Sequence, residues 1–162
     1  MRRYTGEDRE QLEESLRKAR KLKPTASVRR LVEQRLDLLR PQLEKAFGVE
    51  LRGFQPPQFL AYGQDGFHQA HRDARADAAE EIAQRKVSVV VFLNHRSEDP
   101  RDGCYGGGSL VLAGLLPGFG DEARGFPVTP SAGSLVAFRS DTVHEVKPVT
   151  HGERFTIVSW FY

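Results

Sequence analysis

Two side chains of metal-binding type, His71 and Asp73, lie two residues apart in the segment Gly66–Asp73. In an extended segment, side chains at positions i and i+2 point to the same side of the chain. An imidazole and a carboxylate would then be directed at one point in space. Such pairs also arise by chance, and His151-Gly152-Glu153 is a second example. Because a glycine stands in its middle, just before the last predicted strand, we expect a turn there and no ligand pair.

A third ligand is expected from a late strand that lies beside His71 and Asp73. His144 fits this role, because it follows an apolar strand and a polar turn. Two histidines and one carboxylate form the ligand set of non-haem Fe(II) oxygenase sites, which leaves about three coordination positions open. A closed structural zinc site needs four ligands, usually with cysteine, and the chain has only Cys104. We therefore predict an iron site formed by His71, Asp73 and His144.

A positively charged side chain follows ten residues after His144. Arg154 begins the apolar segment Arg154–Phe161, in which Arg154, Thr156 and Trp160 would share one face of a strand. A dicarboxylate held at the metal needs a cation at its far end, and arginine binds both oxygens of a carboxylate. A buried arginine is costly unless an anion meets it. The alternative is an exposed arginine at the start of a strand.

The segments before residue 49 are predicted to be helices that support the rest of the chain. Thr5 and Asp8 resemble a capping box, so a charged surface helix is expected to run to about Lys21. Ser27 is the expected cap of a second helix, which ends at Gly48. Its apolar stripe should cover one face of a sheet, and Pro41 should kink or restart it. The stripe consists of Val28, Val32, Leu36, Leu39, Leu43 and Phe47.

From residue 49 on, short apolar runs alternate with Gly, Pro and Asp, which predicts a sandwich, barrel or jelly roll. Residues 74–84 are expected to add a short helix. The length favours one domain over residues 1–162, with supporting helices at 1–48 and a jelly-roll core at 49–162. The predicted strands are Val49–Gly53, Gln58–Tyr62, Phe67–Asp73, Val87–Asn94 (buried on both faces), Ser109–Ala113, Phe126–Val128, Ser134–Phe138, Val143–Val146 and Arg154–Phe161.

Five motifs in the same order resemble the Fe(II)- and 2-oxoglutarate-dependent dioxygenases, in particular the prolyl 4-hydroxylase-like group with the oxygen-sensing prolyl hydroxylases and their bacterial relatives. The resemblance covers about residues 58–162. The fold that it implies is mainly β, a double-stranded β-helix (jelly roll) flanked by helices. The matching motifs are Tyr62 nine residues before His71-Arg72-Asp73, Phe92-Leu93-Asn94, Gly107-Gly108-Ser109-Leu110, Phe138 through Val146 with His144, and the closing Arg154 and Trp160.

The resemblance also implies roles for single residues. His71, Asp73 and His144 would bind Fe(II), Arg154 would hold the C5 carboxylate of 2-oxoglutarate, and Tyr62 would form a hydrogen bond near its C1 end. Asp73 argues against the related halogenases, in which that carboxylate is missing. One position departs from the animal sensors, which have a tyrosine as second C5-carboxylate partner where this chain has Phe92. Another donor, for which Thr156 is the candidate, must then serve, or the affinity for 2-oxoglutarate will be lower.

The implied activity is hydroxylation of a prolyl residue in a peptide or protein, with 2-oxoglutarate and O2 consumed and succinate and CO2 released. Ascorbate is expected to support it. Trp160 and Arg139 are candidates for contact with the substrate; core packing is the alternative for Trp160. A free amino acid or small metabolite as substrate, and a jelly-roll binding module without catalysis, are the competing hypotheses.

Charge is distributed unevenly along the chain. Residues 1–52 hold 14 Lys/Arg and 9 Asp/Glu, whereas residues 53–162 hold 10 and 13. Since acids and bases alternate in the first part, we expect a solvated helix surface there and no nucleic-acid partner. No apolar run approaches the ~18 residues that a membrane span requires. With one cysteine and no signal peptide, the chain is expected to be cytoplasmic.

Overall fold

The computed structural model describes residues 15–115, 125–128 and 130–162. Strands predominate in these ranges, as predicted. The two main helices are α1 (Ala26–Phe47) and α2 (Glu80–Ala83). The strands are β1 (Arg20–Leu22), β2 (Gln58–Tyr62), β3 (His68–His71), β4 (Val87–Phe92), β5 (Tyr105–Gly107), β6 (Leu110–Leu112), β7 (Phe126–Val128), β8 (Leu135–Arg139), β9 (His144–Val146), β10 (Val149–Gly152) and β11 (Arg154–Phe161).

The strands form three antiparallel sheets. The major sheet has five strands in the order β1-β2-β11-β4-β8, so β11 lies at its centre. The minor sheet has four strands in the order β3-β9-β6-β7, and β10 pairs with β5 in a third sheet. Neighbours in the major sheet are far apart in sequence, as β2 and β11 are, and the fold therefore depends on long-range pairing.

Helix α1 follows from its capping residues and its apolar stripe. The side chain of Thr25 accepts a hydrogen bond from the backbone N–H of Val28, so Thr25 is the N-cap and the predicted cap, Ser27, lies inside the helix. Gly48 ends the helix in the left-handed conformation, as predicted. The helix does not restart at Pro41, because buried Leu36 and Leu43 on either side of it pack on the same sheet.

Two apolar clusters lie on opposite faces of the major sheet. One joins Leu36 and Leu43 of α1 to Val87, Val89 and Phe161, which confirms that the helix covers one face of a sheet. The other lies between the major and minor sheets. Strand β4 contributes to both clusters and is buried on both faces, as predicted. The second cluster contains Leu60, Tyr62, Val90, Phe92, Tyr105, Leu110, Leu112, Phe138, Val146 and Val149.

Two predictions were wrong. Residues 20–22, expected at the end of a helix, form β1, because their backbone pairs with β2; of the rest of that predicted helix, residues 15 and 16 are helical, and the part before residue 15 lies outside the described residues. The predicted strand Val49–Gly53 does not form, because its backbone bonds are isolated: the N–H groups of Val49 and Leu51 donate to Glu44, and Arg52 and Gly53 bond to Tyr162. Strands β5 and β10 were not predicted. No helix within the described ranges is long and apolar enough to cross a membrane.

Candidate metal centre

The two histidines of the predicted triad face each other across neighbouring strands. His71 ends β3, His144 begins β9, and the two residues are register partners. Asp73 follows β3 by two residues. The Nε2 atom of His71 lies 3.4 Å from one carboxylate oxygen of Asp73, and Nε2 of His144 lies 3.5 Å from the other. All three ligand atoms lie within 4.8 Å of one another, a geometry in which one metal ion reaches each of them.

Backbone carbonyl groups orient both imidazoles. Nδ1 of His71 lies 2.8 Å from the carbonyl oxygen of Gln69, and Nδ1 of His144 lies 3.0 Å from that of Thr142. A carbonyl oxygen only accepts hydrogen bonds, so Nδ1 carries the proton in each neutral ring. Nε2 of both histidines is left with its lone pair directed at Asp73. This is the outer hydrogen bonding that fixes metal-binding histidines in proteins.

The charge states of the triad also suit a metal ion. Burial raises the pKa of the Asp73 carboxyl, but the nearby imidazoles of His71 and His144 lower it more, and the resulting pKa lies well below the usual range. Burial lowers the pKa of His144. At neutral pH the site therefore presents a carboxylate and a neutral imidazole, the forms that bind a divalent cation.

Arg154 is buried at the centre of the major sheet with unused hydrogen-bond donors. Its side chain is 1% exposed, and its Nε and Nη2 atoms have no hydrogen-bond partner among the described residues. The hydroxyl of Thr156, two residues along the same face of β11, is buried without a partner as well. Burial lowers the pKa of Arg154, yet a guanidinium stays charged in proteins. These groups fit an anion that accepts several hydrogen bonds.

Aromatic rings enclose the Arg154 guanidinium. Its central carbon lies 5.1 Å from the ring centre of Tyr62 and 4.9 Å from that of Phe92. A hydroxyl group comes from Tyr105, whose buried side chain is 2% exposed and interacts with the Arg154 guanidinium, raising the pKa of Arg154 against the lowering caused by burial. Tyr105 was not predicted as a site residue. The sequence feature that could have identified Tyr105 is its position immediately before Gly106, at the start of the glycine motif.

Gly108 of that motif leaves space for the arginine. Its φ of 58° lies in the left-handed region, which favours glycine. A Cβ atom at Gly108 would come within 3.0 Å of Cδ of Arg154 and 3.3 Å of Cε2 of Tyr105. The absence of a side chain at Gly108 therefore allows Arg154 and Tyr105 to pack closely against the backbone. The strand that contains the first glycines of the motif, β5, pairs with β10.

One cavity joins the triad to Arg154. Its lining includes seven predicted site residues: His71, Asp73, His144, Tyr62, Arg154, Thr156 and Trp160. The predicted shared face of β11 is confirmed, because Arg154, Thr156, Val158 and Trp160 all line this cavity. Trp160 is only 9% exposed, so it contributes to the core and to the cavity wall.

Two other sequence candidates lie elsewhere. Arg139 is not among the residues that line this cavity; its exposed side chain lies 3.4 Å from Asp141. His151, expected in a turn, lies in β10, because the strand continues to Gly152 in the left-handed conformation. The adjacent Glu153 pairs with Arg20 at 2.6 Å.

Comparison with known proteins also points to an Fe(II)-dependent oxygenase. The model of the 2OG-Fe(II) oxygenase superfamily matches residues 57–162. A PKHD-type hydroxylase of Alteromonas mediterranea is 32% identical over 108 residues, which are 65% of this chain and 42% of that protein. A PKHD-type hydroxylase of Psychrobacter is 34% identical over 113 residues, 65% of this chain and 37% of that protein. The chain thus spans less than half the length of these curated relatives.

Two solved structures with a similar fold are prolyl hydroxylases. A prolyl-4-hydroxylase of Pseudomonas putida is 28% identical, with a TM-score of 0.67 over 91% of this chain and 73% of that one. A prolyl hydroxylase of Trichoplax adhaerens, solved with a hypoxia inducible factor oxygen degradation domain peptide, shares the fold at 19% identity and a TM-score of 0.62, over 90% of this chain and 62% of that one. The chain therefore belongs to the 2OG-Fe(II) oxygenase superfamily, whose cofactors are Fe(II), 2-oxoglutarate and O2, as a prolyl hydroxylase-like member.

Proposed function

We propose that this chain is a dioxygenase that hydroxylates a prolyl residue in a peptide or protein. The observation that carries the proposal is the cavity itself, which holds both a His–Asp–His cluster and a buried arginine with unused donors. Leaving the donors of Arg154 unpaired costs free energy in the ligand-free protein. A dicarboxylate that reaches from the metal to Arg154 would recover that cost.

Three residues would hold Fe(II): His71 and His144 through Nε2, and Asp73 through its carboxylate. The geometry of the site supports this assignment, because the Nε2 lone pairs and the carboxylate oxygens face one another. Three protein ligands leave about three positions for other molecules on an octahedral ion.

The far carboxylate of 2-oxoglutarate would be held by Arg154 and Thr156. Arginine supplies two parallel donors to a carboxylate, and the buried hydroxyl of Thr156 supplies a third. Tyr105 would position the guanidinium through its side-chain interaction with it. Tyr62, whose ring lies against Arg154 and lines the same cavity, would form a hydrogen bond near the C1 end.

Fe(II) with 2-oxoglutarate and O2 supplies the oxidising chemistry: one oxygen atom enters a substrate C–H bond, and the other enters succinate as CO2 is lost. The residues of this chain bind, orient and shield these reactants. Trp160 and the apolar side chains Val90 and Leu110 line the cavity and exclude bulk water from it.

We also infer the finer fold, a double-stranded β-helix. The major and minor antiparallel sheets pack face to face with the site between them, which supports that assignment. The family match at residues 57–162 falls within the predicted core, residues 49–162.

The peptide substrate is supported by similarity to the Pseudomonas putida prolyl-4-hydroxylase and, at the level of fold, to the peptide complex from Trichoplax adhaerens. A free amino acid or small metabolite as substrate, and a binding module without catalysis, are the outcomes to be distinguished by experiment.

The test measures succinate formed by the purified protein with Fe(II), 2-oxoglutarate and ascorbate, with and without proline-containing peptides. Mass spectrometry follows the addition of one oxygen atom to the peptide. His71→Ala removes a metal ligand, and His95→Ala is the matched control, because His95 is an exposed histidine that lines none of the site.

Peptide hydroxylation that is lost in His71→Ala and retained in His95→Ala supports the proposal. Succinate formation with free amino acids but no peptide would move the substrate to the small-metabolite class. A protein that binds neither Fe(II) nor 2-oxoglutarate would overturn the catalytic assignment and leave the binding module.

A further inference from the structure

The opening beside the triad is bordered by positively charged side chains. A second cavity shares His71, Asp73 and Trp160 with the metal-site cavity, so it forms the entrance on that side. Of the residues that line this second cavity, the only carboxylate is that of Asp73, a proposed iron ligand. The five basic residues that line it are here named the basic mouth: Arg17, Lys21, Arg72, Arg75 and Arg85.

The contacts of Arg85 fix it in place without neutralising it. Nε of Arg85 donates to the side-chain oxygen of Gln55 at 2.9 Å, and Nη1 donates to the backbone carbonyl of Asp73 at 3.1 Å. Its guanidinium also lies over the ring of Trp160, 4.0 Å from the ring centre. These direct partners are neutral, while the nearby carboxylates of Asp73 and Glu81 favour the charged form of the guanidinium, so the side chain is held rigidly at the mouth and keeps its positive charge.

Few carboxylates offset the other charges. Arg75 lies 3.7 Å from Asp77, but the two side chains are 60% and 82% exposed, and ion pairs of this kind contribute little. Arg72 already has interaction partners, among them the backbone carbonyl of Asp141. Among the described residues, Arg17 and Lys21 form no ion pair with a carboxylate. Within the described part of the chain, the basic side chains at the mouth therefore outnumber the carboxylates near them.

Binding of Fe(II) and 2-oxoglutarate does not change the charge of the basic mouth. The formal charges of Fe(II), 2-oxoglutarate, Asp73 and Arg154 cancel, so the loaded interior is close to neutral. A substrate that approaches the loaded site then meets an attractive potential if it is negatively charged and a repulsive one if it is positively charged.

We propose that the peptide substrate is acidic, with Asp or Glu close in sequence to the residue that enters the cavity. This inference rests on the proposed function and specifies the substrate class of the same site. One extended residue spans about 3.3 Å, so the two or three residues on either side of the target would cross the basic mouth. Their carboxylates would then pair with Lys21 and Arg75, and with the fixed guanidinium of Arg85.

A peptide is favoured over a nucleic acid by the wall of the mouth. A single-stranded nucleic acid usually needs aromatic side chains on which successive bases stack. The one tryptophan of the mouth is mostly buried, and the guanidinium of Arg85 already covers its ring. Nucleic-acid binding is therefore an outcome of the test and no part of the proposal.

The test measures peptide binding apart from turnover. Protein loaded with Mn(II) and 2-oxoglutarate under anaerobic conditions is titrated into three fluorescent proline-containing peptides of equal length. Asp and Glu flank the proline in the first peptide, Asn and Gln in the second, and Lys and Arg in the third. We expect binding of the acidic peptide to be about tenfold tighter than that of the amide peptide, with the preference decreasing as salt is added.

Two variants locate the preference on the protein. Lys21→Glu and Arg75→Glu each reverse one exposed charge of the basic mouth and leave the triad and Arg154 unchanged. Each should reduce the preference for the acidic peptide about three- to tenfold. Lys45→Glu is the matched control, because Lys45 is exposed in the last turn of α1, and that helix packs on the other face of the major sheet.

Tighter binding of the acidic peptide, reduced in both mouth variants and unchanged in Lys45→Glu, supports the proposal. Equal binding of the acidic and amide peptides, or tighter binding of a single-stranded oligonucleotide than of the acidic peptide, overturns it. Succinate formation by the Fe(II) protein is measured in parallel. If succinate is formed but acidic peptides are not preferred, only the inference of an acidic substrate is wrong. If acidic peptides are preferred but no succinate is formed, the proposed oxygenase activity is wrong.

Discussion

Replacement of Tyr105 with phenylalanine removes one hydroxyl group beside the buried guanidinium of Arg154. We expect that hydroxyl to stand in for the one that Phe92 lacks, because Phe92 lies 4.9 Å from the same guanidinium and the side chain of Tyr105 interacts with it. Tyr105→Phe keeps the packing of the ring and changes only the polar contact. It therefore tests whether Tyr105 positions Arg154 for the far carboxylate of 2-oxoglutarate.

The size of the effect follows from burial. Arg154 is 1% exposed and Tyr105 is 2% exposed, so water cannot replace the lost hydroxyl. A hydrogen bond to a charged group contributes about 1.5–3 kcal/mol, and about 1.4 kcal/mol corresponds to a tenfold change in affinity. We expect the Kd of 2-oxoglutarate to rise roughly ten- to a hundredfold, and KM for 2-oxoglutarate to rise with it while kcat changes much less.

The assay is calorimetric titration of 2-oxoglutarate into the Mn(II)-loaded protein, with steady-state kinetics beside it. Tyr162→Phe is the matched control, since it removes a tyrosine hydroxyl that lies near Gly53, outside the cavity. The double variant Tyr105→Phe/Phe92→Tyr moves the hydroxyl to the other ring and should recover most of the affinity. An unchanged Kd in Tyr105→Phe, or no recovery in the double variant, would refute the reasoning.

Three further predictions follow. Addition of Mn(II) should raise the Tm of the wild-type protein and leave that of His144→Ala unchanged, because His144 supplies one of three ligands; thermal unfolding checks this, and an equal rise in both would contradict the assigned triad. Gly108→Ala should weaken 2-oxoglutarate binding as well as lower the free energy of unfolding, because the added methyl group displaces Arg154 and the backbone there has a φ of 58°; an effect on stability alone would count against the proposed packing of the pocket. Leu36→Ala should lower the free energy of unfolding by about 2–5 kcal/mol in urea titrations, because Leu36 is 3% exposed under α1, and a loss below about 1 kcal/mol would contradict that core.

The triad could be predicted from the sequence because each of its parts leaves a local sign. His71 and Asp73 are separated by one residue, and His144 follows an apolar strand and a polar turn. The buried face of β11 was predictable for a similar reason, since alternation along one strand is a local pattern. The boundaries of β2, β7 and β11 agree with prediction because Gly or Pro residues flank β2 and β7 and Gly152 precedes β11.

Features that depend on long-range contact were not predictable. Strand β1 has a charged, helix-compatible sequence and becomes a strand only because the edge of β2 is free to pair with it. Strand β5 is formed by glycines beside Tyr105 and needs β10 as its partner. The role of Tyr105 depends on its proximity to Arg154, 49 positions later in the sequence, and no local pattern encodes that proximity.

The two halves of the site belong to different sheets. The triad is carried by the minor sheet and the segment after β3, whereas Arg154 and Thr156 belong to the central strand of the major sheet. A bound 2-oxoglutarate that engages both halves is therefore a cross-link between two layers of the protein, and it should slow amide hydrogen exchange in β3 and β9. Loss of CO2 shortens that cross-link by one carbon and removes the 2-oxo group. We expect succinate to connect the two layers less firmly than 2-oxoglutarate does, so the reaction that consumes the co-substrate should also loosen the protein around its product.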